Sequence, residues 1–133
     1  MAVSEDGEQA VAVTVQGQVT PHSGHHVLKT RGLKDEATYH FYNIPVKHDL
    51  HRFGELINMI APIHIKQDSM VQHLVSQFVK MDGEIEDYEV YGDALMYGGV
   101  LLKQGFSGTG YNEEVRHFPD FGSRIYFMEA VED

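Results

Sequence analysis

Histidine is the residue type with the clearest chemical potential in this sequence, since nine of its 133 residues are histidines. Neutral imidazoles gathered on one loop could hold Zn²⁺. The turn PHSGHH supplies His22, His25 and His26. Adjacent residues of a strand point to opposite faces, so only His22 and one of the pair converge, and a further ligand would have to come from elsewhere. We therefore favour surface histidines over a metal site here.

The other histidines give weaker signals. His48 and His51 are spaced i, i+3 at the start of a candidate helix and could face one ion, although a solvated first turn is the simpler interpretation. His64, His73 and His117 stand alone and are predicted to be ordinary, partly buried imidazoles. The sequence therefore predicts no metal ligands, with a histidine-based metal protein kept as an alternative.

Carboxylates are the second candidate for chemistry. They crowd two segments, at Glu84, Glu86, Asp87 and Glu89 and at Glu113 and Glu114. A glycosidase needs two carboxyl groups about 5 to 9.5 Å apart across a cleft. Nothing in the sequence marks such a pair, so we predict a solvated acidic face at both places.

The remaining catalytic signatures do not fit. No serine lies in a G-x-S-x-G elbow. Gly105, Gly108 and Gly110 match neither G-x-G-x-x-G nor a P-loop, and no lysine follows them. The residues thus predict no catalytic residue, no cofactor-binding residue and no cofactor, and they favour a scaffold without an active site of its own.

Composition narrows the choice of partners. The formal net charge is −10 with neutral histidines. Such a charge disfavours nucleic acid and anionic membrane surfaces as partners, because both reward Lys and Arg. The chain has no cysteine, no apolar run long enough to span a membrane and no signal peptide in residues 1–10, which predicts a cytoplasmic protein. Its abrupt start fits either a complete small protein or a domain taken from a longer one.

Strands are the predicted elements that position the candidate histidines and carboxylates. Residues 9–15 alternate, with Val11, Val13 and Val15 on one face, and segments 25–30 and 37–43 follow after turns, which predicts the start of an antiparallel meander or Greek key. Residues 84–91 and 100–103 are further predicted strands. Segment 123–128 is apolar on both faces, which places it inside a sheet.

The spacing of apolar residues changes in the middle of the chain. Leu50, Phe53, Ile57 and Ile60 recur at helical spacing, and Ser69 with Gln72 forms a capping box for a second helix over 69–81. Residues 93–97 are predicted to form a single helical turn. We therefore predict a mainly β fold: one antiparallel Greek-key β-sandwich domain over residues 1–133 with a helical insertion at about 48–82.

Four segments carry a family resemblance: FGELIN (53–58), APIHIK (61–66), MDGEIEDYEVYGDALMYGG (81–99) and QGFSGTGYNEEVRHFPDFGSRIYF (104–127). They resemble the C-terminal part of family 36 α-galactosidases (melibiases) of lactobacilli and related Gram-positive bacteria. Shorter patterns agree with the same family. These are the charged turn Ser4-Glu5-Asp6-Gly7, Gly32 and Leu33 before Tyr39, Gly92 with Leu95 and Met96, and Asp120, Phe121, Ser123 and Arg124. The stretch 48–82 looks like an insertion that shorter members lack.

The resemblance implies a parent enzyme with an N-terminal β-supersandwich, a central (β/α)₈ barrel and a C-terminal β-sandwich. Such enzymes hydrolyse terminal α-galactosyl groups, as in melibiose and raffinose, with retention. Their catalytic aspartates lie on barrel strands. This sequence contains no barrel strands, so no catalytic residue carries over to it. The implied partner is the barrel of the same parent chain, and an apolar face left exposed would favour homo-oligomers.

A carbohydrate-binding module is the alternative from another class. Aromatic rings stack on sugar faces, and exposed coplanar rings would support this function. The candidate residues are Tyr88, Tyr91, Tyr97, Phe106 and Tyr111. The simpler interpretation is that these aromatic residues belong to the core.

Overall fold

The computed structural model describes residues 1–18, 25–49, 80–103 and 121–131. Within these ranges the chain is mainly β, and every strand pairing is antiparallel. The strands are β1 (Ala2–Val3), β2 (Gln9–Val15), β3 (Val27–Leu28), β4 (Thr38–Asn43), β5 (Lys47–Asp49), β6 (Lys80–Asp82), β7 (Asp87–Tyr91), β8 (Val100–Leu101) and β9 (Ser123–Ala130). A π-helical turn, Ala94–Gly98, lies between β7 and β8 where a helical turn was predicted.

The main sheet has five strands in the order β1-β2-β9-β4-β7. The last strand, β9, therefore lies between β2 and β4, which confirms the prediction that a strand apolar on both faces is internal. Of the two predicted arrangements, a meander or a Greek key, the meander is wrong, because β3 leaves this sheet and pairs with β8 in a separate two-stranded ribbon. Pairing between distant strands is typical of a Greek key, and turn signals between neighbouring strands cannot reveal it.

The core forms between the inner face of this sheet and a second layer made by the β3–β8 ribbon and the π-helical turn. Tyr39, Phe41 and Met128 are fully buried on the sheet, and Leu95 of the π-helical turn is fully buried against them. The Phe41 and Tyr126 rings stack with centroids 5.6 Å apart. The two layers make the domain an antiparallel β-sandwich.

Strand β2 buries its small residues and exposes its large ones. Ala10 and Ala12 face the core, where Met128 and Tyr126 stand directly opposite them. Val13 and Val15 lie on the other face and are 53% and 68% exposed. Alanine leaves room on the inner face for the large side chains of β9, so the period-2 pattern is correct while its more apolar face points outward.

A polar turn closes one end of the sandwich. Ser4 to Glu8 link β1 to β2, and Gly7 has φ +73, a conformation that favours glycine. The Tyr39 hydroxyl donates to the Gly7 carbonyl at 2.7 Å and accepts from the Lys34 N–H at 2.8 Å. A buried phenol therefore holds two loops together while satisfying its own hydrogen-bonding capacity.

The ends of the predicted helical insertion are strands. In the pairing of β5 with β6, Lys47 stands opposite Asp82 and Asp49 opposite Lys80. The helical prediction is therefore wrong for residues 48–49 and 80–82, where ladder pairing with a distant segment overrides the local helical spacing. Residues 50–79, which carry the predicted helices, lie outside the described residues.

Candidate functional site

A cleft of about 140 Å³ opens between the inner face of the sheet and the β3–β8 ribbon. It lies where β2 and β4 end and β9 begins. The floor contains Asn43, Glu84, Glu86, Arg124 and Tyr126. The rim contains the exposed side chains of Val15, His26, Val27 and Lys103. Charged groups of both signs thus meet in a partly enclosed space, which distinguishes this cleft from the surrounding surface.

Asn43 positions the two floor carboxylates. Its side-chain amide donates to the Glu84 carbonyl at 2.8 Å, and its side-chain oxygen accepts from the Glu86 N–H at 2.8 Å. Its own backbone N–H donates to the Glu86 carbonyl at 3.2 Å. These three bonds extend the β4–β7 pairing to the residues just before β7 begins, so residues 84–86 are held against the end of β4.

The two carboxylates have different partners. Glu86 is 2% exposed, and its Oε1 accepts from the Lys103 N–H at 2.5 Å. Glu84 Oε2 lies 3.7 Å from Arg124 Nη2, with side chains 13% and 8% exposed respectively. Glu84 Oε1 is buried and finds no hydrogen-bond partner among the described residues. A buried acceptor without a donor is costly, so this oxygen lowers the stability of the fold.

The prediction of a solvated acidic face is thus wrong for Glu84 and Glu86. It holds for Asp87 and Glu89, which are exposed on β7. The physical reason is the Asn43 clamp, which turns the segment before β7 so that Glu86 points inward and Ile85 outward. A residue outside the segment sets this orientation, so the acidic run alone could not reveal it.

Two phenols border the same carboxylates. Burial raises the pKa of Tyr88 to about 12, and the neighbouring Glu86 carboxylate contributes to this rise. Burial is also the main cause that raises the pKa of Tyr126. Both hydroxyls therefore remain protonated near neutral pH and act as hydrogen-bond donors rather than bases.

The structure does not bring the candidate histidines together in the part it describes. His25 and His26 are exposed, and His26 lies on the rim of the cleft. His48 belongs to β5 rather than to a helix. Within the described ranges, no group of three or more His, Asp or Glu side chains is placed to hold a metal ion. His22, His51, His64, His73 and His117 lie outside the described residues, as do Glu113 and Glu114 and the glycine-rich loop.

The candidate sugar-stacking aromatics are divided. Tyr88 is partly buried against Phe41, with ring centroids 5.3 Å apart, so it belongs to the core. Tyr91 and Tyr97 are exposed, and the Tyr97 hydroxyl lies 3.3 Å from both carboxylate oxygens of Asp35. Phe106 and Tyr111 lie outside the described residues.

The outer face of the main sheet is a second feature of the surface. We use this name for the side chains of Val11, Val13, Val15, Tyr42, Ile125 and Phe127, which oppose one another across β2, β9 and β4. The Tyr42 and Phe127 rings stack with centroids 5.3 Å apart. Exposed Ile44 follows β4, and its N–H donates to the Ile125 carbonyl at 3.2 Å. Val13, Val15 and Ile44 are exposed, whereas Val11, Tyr42, Ile125 and Phe127 are half-buried. Exposed apolar side chains that adjoin one another can mark an interaction surface.

Comparison with known proteins places the sandwich in a family. The sequence model of the glycosyl hydrolase family 36 C-terminal domain matches residues 1–128. The chain belongs to this family. Among solved structures, the α-galactosidase from Lactobacillus brevis superposes with a TM-score of 0.53 at 16% sequence identity. The match covers 98% of this chain and 11% of that one. No curated protein sequence matches the chain significantly.

As a family 36 C-terminal domain, the chain uses most of its motif residues for folding. Leu33, Tyr39 and Leu95 are buried in the core, and any Cβ at Gly92 would collide with the Lys34 carbonyl. Arg124 differs because it lies in the floor of the cleft, and Phe121 differs because it is exposed. No helix in the described ranges combines the length and apolar character needed to cross a bilayer.

Proposed function

We propose that this chain is the non-catalytic C-terminal domain of an α-galactosidase and supports the catalytic barrel of the same parent chain. The parent enzyme would hydrolyse terminal α-galactosyl groups of oligosaccharides such as melibiose and raffinose. The observation that carries this proposal is the match to a C-terminal domain family over residues 1–128. A cytoplasmic location is part of the proposal and fits a chain without cysteine.

The placement of the family motif supports a structural role. The hydroxyl of buried Tyr39 donates to the Gly7 carbonyl, and the Leu95 side chain is fully buried in the core. Residues used in this way hold a fold together and are not available to a substrate. This domain would therefore contribute a folded structural support to the parent enzyme.

The outer face supports a docking role. If the barrel of the parent chain covered Val13 and Val15, their exposed apolar surface would be removed from water. Each square ångström of apolar surface buried in this way contributes about 25 cal/mol. Phe121 adds a 72% exposed ring in a left-handed backbone conformation, φ 58, just before β9. A bulky side chain rarely adopts this conformation unless its position matters. We assign the outer face and Phe121 to contact with the barrel.

The catalytic half of the proposal is tested by incubating the purified 133-residue chain with a chromogenic α-galactoside. We expect no release of the chromophore above the buffer rate. Turnover that copurifies with this chain through two separation steps, and disappears on heat denaturation, would contradict the assignment of catalysis to another domain.

The docking half is tested by self-association, because an apolar face without its partner should pair weakly with a second copy. Sedimentation velocity of the unmodified chain is expected to show concentration-dependent dimers, which Val13→Lys should reduce. Val27→Lys is the matched control, since Val27 is also 53% exposed but belongs to the β3–β8 ribbon. Equal effects of the two substitutions would exclude the outer face as the docking surface.

A further inference from the structure

We infer that the open edge of β7 (Asp87–Tyr91) accepts an extended segment of a partner polypeptide in which basic and apolar residues alternate. This strand is the last of the five-stranded sheet, and β4 is its only ladder partner among the described strands. An edge strand binds a further strand through its unpaired backbone groups, and its side chains select the partner. The inference concerns a surface that the proposed structural role does not use, and it does not depend on that role.

The backbone groups that face this edge follow from the pairing on the other side of β7. The Glu86 carbonyl accepts from the last residue of β4 at 3.2 Å, and the Gly92 N–H donates to the residue before β4 at 2.8 Å. Backbone direction alternates along a strand, so the even-numbered residues between them also face β4. Asp87, Glu89 and Tyr91 therefore direct their N–H and C=O groups to the edge. Within the described ranges, none of these six groups has a hydrogen bond.

Glu89 carries the accessible charge of this edge. Its side chain is exposed and makes no hydrogen bond or ion pair with any described residue. The neighbouring Asp87 carboxylate is already engaged, since it lies 2.7 Å from Nε2 of His40. A strand paired with the edge would place one side chain directly opposite Glu89 on the exposed face, and a basic side chain there would form a favourable cross-strand pair. The formal net charge of −10 attracts the same basic segment from a distance.

The Glu89 carboxylate also disfavours a second copy of this chain as the occupant. In the antiparallel register that pairs the whole of β7 with another β7, Glu89 of one copy stands opposite Glu89 of the other. Like charges directly opposite one another destabilise a strand pair, and charged side chains on edge strands prevent self-pairing in this way. A basic partner meets attraction at the position where a second copy meets repulsion, so the charge selects between the two.

The inner face of β7 sets the other positions of the partner. Tyr88 and Val90 are half-buried and pack against the core. Successive side chains of a strand point to opposite faces, so the partner residues on either side of the basic one would lie beside Tyr88 and Val90. Apolar side chains at these positions would extend the core layer. The partner pattern is therefore a basic residue opposite Glu89 with an apolar residue on each side.

The first test is an NMR titration of the 133-residue chain with the peptide acetyl-KVKVK-amide. The amides of Asp87, Glu89 and Tyr91 are the reporters, because their N–H groups face the edge. We expect saturable shifts of these amides with a dissociation constant on the order of 0.1–10 mM, since the peptide is short and must be ordered on binding. The matched control is acetyl-EVEVE-amide, which has the same length and alternation and should give no saturable shift.

Backbone N-methylation of the peptide distinguishes strand pairing from a loose contact between charges. In the antiparallel ladder the N–H of the central lysine would donate to the Glu89 carbonyl, whereas the N–H of each valine would point away from β7. N-methylation of the central lysine should weaken binding about fivefold or more, because it removes a ladder hydrogen bond. N-methylation of an adjacent valine keeps every ladder bond and should leave the dissociation constant nearly unchanged.

Glu89→Lys should weaken binding of acetyl-KVKVK-amide about three- to thirtyfold, because an attractive cross-strand pair becomes repulsive. Glu5→Lys is the matched control with a smaller expected effect, since Glu5 is exposed in the turn between β1 and β2 and the change in net charge is the same. The inference is overturned if the basic peptide gives no saturable shift, if the acidic or the lysine-methylated peptide binds as tightly, or if the two substitutions have equal effects. Reporter shifts that grow with protein concentration without peptide would assign the edge to a second copy and would also overturn it.

Discussion

Replacing Gly92 with alanine should destabilise this domain strongly, although the change adds only one methyl group. A Cβ built at this position lies 2.0 Å from the Lys34 carbonyl oxygen and 3.0 Å from Cε2 of Tyr39. The Gly92 N–H donates to the Ala37 carbonyl at 2.8 Å, and the Asp93 N–H donates to the Asp35 carbonyl at 3.1 Å. The loop before β4 therefore rests directly on the backbone of Gly92.

The magnitude follows from what must move. An ordinary carbon contact is about 3.5–4.0 Å, so the Lys34 carbonyl has to retreat by more than 1 Å. Overpacking typically costs about 1–3 kcal/mol, and each of the two backbone hydrogen bonds that the movement strains contributes about 0.5–1.5 kcal/mol. We expect a loss of about 2–6 kcal/mol, a large part of the 5–15 kcal/mol that stabilises a typical domain.

Urea denaturation followed by circular dichroism measures this loss as a lower midpoint with an unchanged slope. Gly98→Ala is the matched control, because a Cβ there meets no atom within 4 Å and the residue does not have positive φ. We expect the free energy of unfolding of that control to lie within about 0.5 kcal/mol of the unmodified 133-residue chain or to be slightly higher. A Gly92→Ala chain as stable as the Gly98→Ala chain would refute the close approach of these two segments.

Three further predictions concern other parts of the sandwich. Ala12→Leu should lower stability by about 1–3 kcal/mol because Ala12 is buried opposite Tyr126, whereas Val13→Leu on the exposed outer face should be nearly neutral; thermal unfolding of both chains decides. The pKa of Tyr88 is about 12 in the folded chain and 10.0 in the unfolded chain, so the contribution of Tyr88 to folding stability is complete below pH 10 and is lost as pH rises through 12. Tyr88→Phe should therefore make the free energy of unfolding less dependent on pH between 10 and 12, and identical pH profiles of the two chains would contradict this. Replacing 50–79 by an Asn-Gly turn should preserve cooperative unfolding, because β5 and β6 already hold the flanking ends in register; loss of the cooperative transition would show that the segment is integral to the fold.

The sequence by itself determined the two long strands β2 and β9. Its alternation predicted β2 over residues 9–15, and β2 spans Gln9–Val15. The apolar character of 123–128 on both faces predicted an internal strand, and β9 lies between β2 and β4. Both predictions succeeded because they depend on local properties, namely a period of two and the absence of a polar face. The family motif was also local, since its residues are read directly from the chain.

Only the tertiary structure decided which face of each strand is buried and which strands pair. The alanine side of β2 faces the core because large residues of β9 stand opposite it, and Glu86 points inward because Asn43 holds its backbone. A period of two defines two faces but does not identify the inner one, and ladder partners are separated by many residues along the chain. The cleft could not be predicted for the same reason: its carboxylates, its guanidinium and its clamp come from segments that meet only when the sheet is assembled.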